Sequence, residues 1–344
     1  MTSRLVRAAA SRSLATVRHV SVVPPAAAAG LVGVVYAQAV RDFGMVAPPL
    51  AAHSPSPRPL AASWVLLRET LLATGRASRA AKEAVASAVS RTNACPYCVE
   101  VHGATLAALA GAAPHTDPEL AAVTAWAGRA GVPAAGQPPP ASQVSELAGV
   151  ALSFHYLNRM AHVFLGDSPL PAEIPRPLRR TGLRWLGRRL AAGAPYPRPG
   201  AALSLLPPAT LPPDLSWAAD RPPVAEALAR TSAAFEATGR RAVAGPVRDL
   251  VRAELEAWTG DRPGISRSWV EPSVAELADV HRPAARLALL VALSSYQVDD
   301  GVIADFRRRC PDDAALVDLT SWASFAAARR AASWLVPGAV VAGL

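Results

Sequence analysis

Two cysteines and a histidine lie within eight consecutive residues and could together carry out thiol redox chemistry. Cys95 and Cys98 form a Cys-x-x-Cys pair, and His102 follows Cys98 by four residues. Proline is tolerated in the first turn of a helix, so a helix is predicted to begin near Pro96, with its N-terminus beneath both sulfur atoms. The helix dipole and the free N–H groups there favour a thiolate. His102 could take or relay a proton from Cys98, for which we predict a lowered pKa.

Other interpretations of the cysteine pair compete with a redox-active dithiol. Cys95, Cys98 and His102 offer three ligands for a structural zinc ion, but closed zinc sites usually collect their ligands from two short motifs. No second motif is present, and Cys310, the one other cysteine, is far along the chain. A passive disulfide or a pair of buried core cysteines also remains open. We favour the redox-active dithiol.

An acidic residue on the preceding helix could complete the site. Glu83 lies on a predicted helix over residues 77–90, where most of its neighbours are apolar. A carboxylate in that position could orient His102 or accept a proton, and we expect the two side chains to lie within hydrogen-bond reach. The alternative is a solvated ion pair with a basic neighbour, Arg79 or Lys82.

A predicted core helix near residues 146–165 carries weaker candidates. Its apolar residues recur at helical spacing over five turns. His155, Arg159 and His162 share one face of this helix, and Asn158 lies beside them. We expect Arg159 or His155 at the mouth of a pocket, where it would select an anionic or peroxide substrate. A solvated face or a contact between subunits is the alternative.

Composition limits the partners and the compartment. The chain has 344 residues, 35 of them basic and 26 acidic, for a net charge of +9. Arginine accounts for all but one of the basic residues, a bias typical of GC-rich coding sequences. Only 6% of residues are aromatic, and no nucleic-acid partner is predicted. Three cysteines are too few to cross-link a secreted fold of this length. We expect a cytoplasmic protein.

Helical periodicity dominates the chain, and no strand ladder is evident, so the predicted fold class is all-α. Residues 1–27 are expected to form a loose basic extension, and the breaks at Pro24, Pro25 and Gly30 argue against a membrane span. The predicted domains are 28–165, which holds the cysteine pair, and 224–344. Residues 166–223 contain 13 prolines and are predicted to be a linker.

One basic segment of the linker has two interpretations. Leucines alternate with arginines between residues 178 and 190. The segment could be a basic amphipathic helix on an anionic membrane surface. We favour a short helix whose leucines pack on the body of the protein while its arginines remain in water.

Two short matches point to a duplication. The Ala-Thr-Gly-Arg sequence at 73–76 recurs at 237–240, and Ser153-Phe154 recurs as Ser324-Phe325. The offsets of 164 and 171 residues are similar, and we interpret them as a tandem repeat whose second copy lacks the cysteine pair. Helices of that copy are predicted near Val224–Glu236, Val243–Trp258, Arg282–Ser294, Asp299–Arg309 and Ala314–Leu335.

The spacing of the site residues resembles a known family. Glu83, eleven residues, Cys95-x-x-Cys98, three residues and His102 are similar to the active-site motif of the alkylhydroperoxidase D (AhpD)-like, carboxymuconolactone decarboxylase superfamily. The resemblance extends over about residues 28–165. Tyr97 departs from AhpD proper, where a histidine often precedes the second cysteine. Members that decarboxylate muconolactone generally lack the cysteine pair, which disfavours that reaction here.

The resemblance implies an AhpD-like helical bundle that forms homo-oligomers and carries out thiol redox chemistry without a metal or another cofactor. It implies that the Cys98 thiolate attacks the substrate and that Cys95 then closes the disulfide with Cys98. His102 would relay the proton, and Glu83 would polarise His102. Tyr97, His155, Asn158 and Arg159 are the weaker candidates for substrate binding.

The leading hypothesis is a thiol peroxidase that reduces a small hydroperoxide, or the disulfide of a partner, and is regenerated by an external dithiol. The expected partners include neither nucleic acid nor membrane. A non-catalytic helical scaffold or redox sensor is a second hypothesis, and a metal-binding module is a third.

Overall fold

The computed structural model describes residues 14–111, 117–128, 139–171, 173–193 and 197–336. The protein is all-α, as predicted, and no β-strand occurs within these ranges. Of the predicted N-terminal extension, residues 1–13 lie outside these ranges. Residues 14–27 pack against the folded chain rather than forming a loose segment: Leu14 is buried, and the backbone N–H of Arg18 donates to the carbonyl oxygen of Phe164 at 2.8 Å. The helices before residue 200 are α1 (Gly30–Asp42), α2 (Pro48–Ala51), α3 (Pro57–Leu67), α4 (Arg79–Thr92), α5 (Pro96–Ala110), α6 (Pro118–Ala127), α7 (Ala141–Phe164) and α8 (Arg176–Ala191).

The helices predicted for the second half are confirmed, with bounds that differ by a few residues. The structure adds one short helix that was not predicted, Glu271–Ala275. The helices of this half are α9 (Pro222–Ala242), α10 (Gly245–Ala257), α11 (Glu271–Ala275), α12 (Arg282–Ser294), α13 (Asp300–Arg307) and α14 (Asp313–Ser333).

Local sequence explains where the two site helices begin. The Ser78 side chain caps α4 by accepting the N–H of Ala81 at 3.1 Å, which satisfies one of the free donors at that end. Helix α5 begins at Pro96, directly after the N-cap residue Cys95. Proline is suited to this position because its missing N–H would have no partner inside the helix. The predicted start of the cysteine helix is therefore confirmed.

One buried helix connects the two halves. Helix α7 is buried along most of its length and packs against α4 from the first half and α14 from the second. Helix α9 packs against α3 as well as α14, and the buried apolar side chains of both halves form one continuous core. The division into domains at 165 and 224 and the tandem repeat stay predictions.

The two matches behind the repeat differ in their structural setting. Ser153 and Phe154 lie on α7, and Ser324 and Phe325 lie on α14, so this pair occupies two helices that pack together. Residues 73–76 form the loop before α4, whereas 237–240 lie inside α9. The Ala-Thr-Gly-Arg match therefore does not lie in corresponding helices, whereas the Ser-Phe match does lie in helices in both halves.

The basic segment of the predicted linker forms α8, which packs closely on the cysteine helix. Leu190 and Gly187 are buried, and a Cβ atom at Gly187 would lie 2.3 Å from the carbonyl oxygen of Ala104 on α5. Only glycine therefore allows the two helices to approach so closely. The arginines of α8 are mostly exposed, as predicted. Leu190 packs on the body of the protein, whereas Leu178 is 59% exposed, so the predicted packing of the leucines is wrong for that residue. None of the helices described is both long and apolar enough to span a bilayer.

Candidate active site

The cysteine pair lies at the N-terminus of α5. Cys95 is the N-cap residue and Cys98 lies in the first turn. Both side chains are buried, both are free thiols, and each shifts the pKa of the other. The structure therefore describes the reduced pair, with its sulfur atoms already adjacent for disulfide formation.

The two thiols differ in their tendency to ionise. The hydrogen bond with Cys98 lowers the pKa of Cys95 against the effect of burial, and the backbone N–H of Cys98 lowers it further. The same thiol contact, together with burial and the charge of Cys95, raises the pKa of Cys98 well above its usual value. The lowered pKa predicted for Cys98 is wrong for the reduced pair. At the helix N-terminus it is therefore Cys95 whose pKa is lowered, with the backbone N–H of Cys98 contributing.

Helices α4 and α5 bring Glu83 and His102 into contact, as the sequence predicts. Glu83 Oε2 lies 2.7 Å from His102 Nδ1. The other carboxylate oxygen, Oε1, accepts hydrogen bonds from Arg79 at 3.0 and 2.7 Å. Burial raises the pKa of Glu83, but the charges of Arg79 and His102 and their hydrogen bonds bring it below its usual value. An ionised Glu83 therefore accepts the N–H at Nδ1 and leaves Nε2 of His102 available for proton transfer.

Asn158 on α7 lies against the thiols rather than at a substrate mouth. Its side chain lowers the pKa of both cysteine thiols. Asn158 Nδ2 also donates to Ser90 Oγ at 3.1 Å, and Asn158 Oδ1 accepts from Asn93 Nδ2 at 2.8 Å. These contacts fix the orientation of the Asn158 amide beside the cysteine pair.

His155 and Arg159 are buried away from the pocket, which differs from the expected position at its mouth. The Arg159 guanidinium donates to the carbonyl oxygens of Ala292 at 2.9 Å and His155 at 2.7 Å, and it lies over the ring of Trp258. Burial lowers the pKa of His155 to about 3. Arg159 therefore connects α7 to the second half of the chain, and His155 is neutral at physiological pH.

A large apolar cavity of about 1130 Å³ opens beside the cysteine helix. Three of the candidate residues, Tyr97, Cys98 and His102, line it, whereas Cys95 does not. Burial raises the pKa of Tyr97 above its usual value of 10.0, so its hydroxyl remains neutral. Cys98 is thus the sulfur that a molecule in the cavity would meet.

Sequence reasoning missed two features of the site. Arg79 and His102 bind Glu83 at the same time, whereas the sequence treated these partners as alternatives. The four-residue spacing between Arg79 and Glu83 on one helix face was the available signal. The contribution of α8 to the cavity wall could not be predicted from nearby residues, because it depends on a contact between distant parts of the chain.

The described residues contain no group of three or more His, Cys, Asp or Glu side chains placed to hold a metal ion. Cys95, Cys98 and His102 do not form such a group, and His102 Nδ1 is occupied by Glu83. The ligand set considered from the sequence therefore does not converge in the reduced protein.

The ionisation of the pair can be measured by the ultraviolet absorbance of thiolates against pH. We expect one thiolate to form below the usual cysteine pKa of about 8.5 and the second well above it. Cys98→Ser removes the thiol that stabilises the Cys95 thiolate, so the pKa of Cys95 should rise. Cys95→Ser removes the neighbouring charge, so the pKa of Cys98 should fall. A first ionisation at or above that of a free cysteine would contradict this assignment.

The chain is similar to one curated protein over nearly its whole length. It is 39% identical over 335 residues to alkyl hydroperoxide reductase Rv2159c of Mycobacterium tuberculosis, and the match covers 93% of this chain and 95% of that protein. No family model matches the chain.

Proposed function

The chain belongs to the AhpD-like family, and on this basis we propose that it reduces organic hydroperoxides through Cys98 and Cys95. One observation carries the proposal: Cys98 and His102 line the same cavity, and Glu83 holds Nδ1 of that histidine at 2.7 Å. A nucleophile and a proton carrier therefore face a space large enough for an organic substrate, and a buried carboxylate orients the proton carrier.

The first step is the reduction of the peroxide. Loss of one proton from the pair to His102 Nε2 leaves a single proton between the two sulfur atoms, and the Glu83 carboxylate stabilises the imidazolium. When the remaining proton lies on Cys95, the thiolate is on Cys98 and faces the cavity. This thiolate attacks the terminal peroxide oxygen and breaks the O–O bond. Cys98 becomes a sulfenic acid, and the alkoxide takes the proton from His102 and leaves as an alcohol.

The second step closes the disulfide. His102 accepts the proton of the Cys95 thiol, and the resulting thiolate attacks the sulfur of the Cys98 sulfenic acid. The S–O bond breaks, and the departing hydroxide takes the proton from His102 to form water. An external dithiol then reduces the disulfide by thiol–disulfide exchange and is itself oxidised. An external dithiol as the reductant, a homo-oligomeric state and a cytoplasmic location stay predictions.

The proposal is tested by turnover of tert-butyl hydroperoxide with dithiothreitol as the regenerating dithiol. We expect catalytic loss of peroxide, a matching gain of oxidised dithiothreitol and no dependence on added metal. Cys310→Ser serves as the control, because Cys310 is a cysteine outside the site, and it should retain the activity. No turnover together with reversible disulfide formation would contradict the proposal and favour a redox sensor instead.

A further inference from the structure

The cavity beside Cys98 is much larger than a small peroxide requires. Its volume of about 1130 Å³ exceeds the roughly 300–1,000 Å³ of typical small-molecule sites. Apart from the reactive residues, its wall is mostly apolar, and it includes Phe43, Leu50, Phe154 and Leu157. Such a wall removes hydrocarbon from water and offers few partners for a polar molecule.

Part of the cavity rim is formed by α8 and carries the positive charge of Arg189. Trp185 is 66% exposed and lines the cavity together with Leu186 and Arg189. The Arg189 guanidinium is exposed, and its Nη2 lies 3.3 Å from the carbonyl oxygen of Gly44, which is also on the cavity wall. Within the described part of the chain, no carboxylate forms an ion pair with Arg189. The rim therefore combines an apolar surface with a cation that is available to an anionic group.

We propose that the substrate is a long-chain hydroperoxide with an anionic head group. Its hydrocarbon chain lies in the cavity, its head group pairs with Arg189 at the rim, and its peroxide reaches Cys98 in the wall. This inference rests on the proposed peroxidase function and specifies the substrate class of the same site. A free fatty-acid hydroperoxide and an oxidised anionic phospholipid share this chemistry.

Binding can be tested without any reaction by calorimetry of unoxidised fatty acids with the Cys98→Ser protein. We expect affinity to increase from butyrate to octanoate to oleate, because each buried methylene contributes up to about four-fold. Equal affinity for the three acids, or no binding of oleate, would overturn the proposal. This result does not depend on turnover, so failure of the peroxidase function would be seen separately with tert-butyl hydroperoxide.

The head group is tested by comparing linoleic acid hydroperoxide with its methyl ester, which has the same chain without the charge. We expect the protein with intact cysteines to have a higher kcat/KM for the acid by about five-fold, the scale of an exposed ion pair. Arg189→Gln should abolish this preference. Arg184→Gln is the matched control, because Arg184 is an exposed arginine of α8 that does not line the cavity, and it should keep the preference.

The source of the substrate is distinguished by a third comparison, with the hydroperoxide of phosphatidylglycerol in vesicles. Rapid reduction of the phosphatidylglycerol hydroperoxide in vesicles would support the proposal and identify a membrane lipid as the substrate. Reduction of the free acid alone would support the proposal and identify a free fatty-acid hydroperoxide as the substrate. Reduction of both more slowly than tert-butyl hydroperoxide would overturn it. An acid preference that survives in Arg189→Gln would equally overturn the assigned role of this arginine.

Discussion

Replacement of Cys98 by serine is expected to reduce hydroperoxide turnover to the uncatalysed background. Cys98 is the cysteine that lines the cavity, whereas Cys95 is buried behind it. A hydroxyl at this position cannot replace a thiolate as the nucleophile near neutral pH. Loss of a catalytic nucleophile can cost on the order of 10⁶-fold in kcat, so the measured rate should fall to that of free peroxide with dithiothreitol.

Cys95→Ser provides the informative comparison. This variant retains the cavity-facing sulfur but cannot form the internal disulfide. We expect it to consume one equivalent of hydroperoxide and to stop at a Cys98 sulfenic acid, which dimedone labelling followed by mass spectrometry would detect. If Cys98→Ser instead formed a sulfenic acid at Cys95 and kept a single turnover, the roles of the two cysteines would be reversed.

Replacement of Glu83 by glutamine should slow turnover by roughly 10²-fold, the usual scale for loss of a positioned acid–base group. The carboxylate orients His102 through Nδ1 and stabilises the imidazolium, and a neutral amide would do neither well. The pKa of Glu83 is lowered in the folded protein, so the carboxylate remains charged until the pH falls below its usual value of 4.5. The rate loss should therefore be present throughout the neutral range.

Two measurements separate this effect from a loss of structure. Tyr97→Phe is the control in the same cavity, because its neutral hydroxyl cannot act as a base, and we expect it to change the rate much less. Circular dichroism and thermal unfolding should show that Glu83→Gln remains folded. Equal and small rate effects of the two substitutions would mean that neither residue takes part in the proton relay.

The second half of the chain supports the site from a distance. Arg159 bonds to Ala292 of α12, and Ser324 on α14 lies 3.5 Å from the sulfur of Met160 on α7. These contacts hold α7, which also carries Asn158 and Phe154 at the site. His102 packs edge-on against Phe154, with 4.4 Å between the ring centroids. The half without the cysteine pair therefore helps to position the helix behind the reactive residues.

The sequence alone determined the local arrangement of the site. Pro96 and the residues before it specify where α5 begins, so the position of the cysteines at a helix N-terminus could be predicted. The contact between Glu83 and His102 could also be predicted, because the two residues lie on consecutive helices joined by a short loop. The positions of the helices could be predicted as well, because the apolar spacing that indicates a helix repeats within a few residues.

Only the tertiary structure decided the ionisation of the two thiols and which residues surround the cysteine pair and the cavity. It assigned the lower thiol pKa to Cys95, because burial in the fold raises the pKa of both thiols and only for Cys95 do the hydrogen bonds with Cys98 outweigh that effect. It moved His155 and Arg159 from an expected pocket mouth into a buried contact with the second half. It also placed α8 and Arg189 at the rim of the cavity. These outcomes depend on burial and on contacts between residues far apart in the chain, for which short spacing carries no signal.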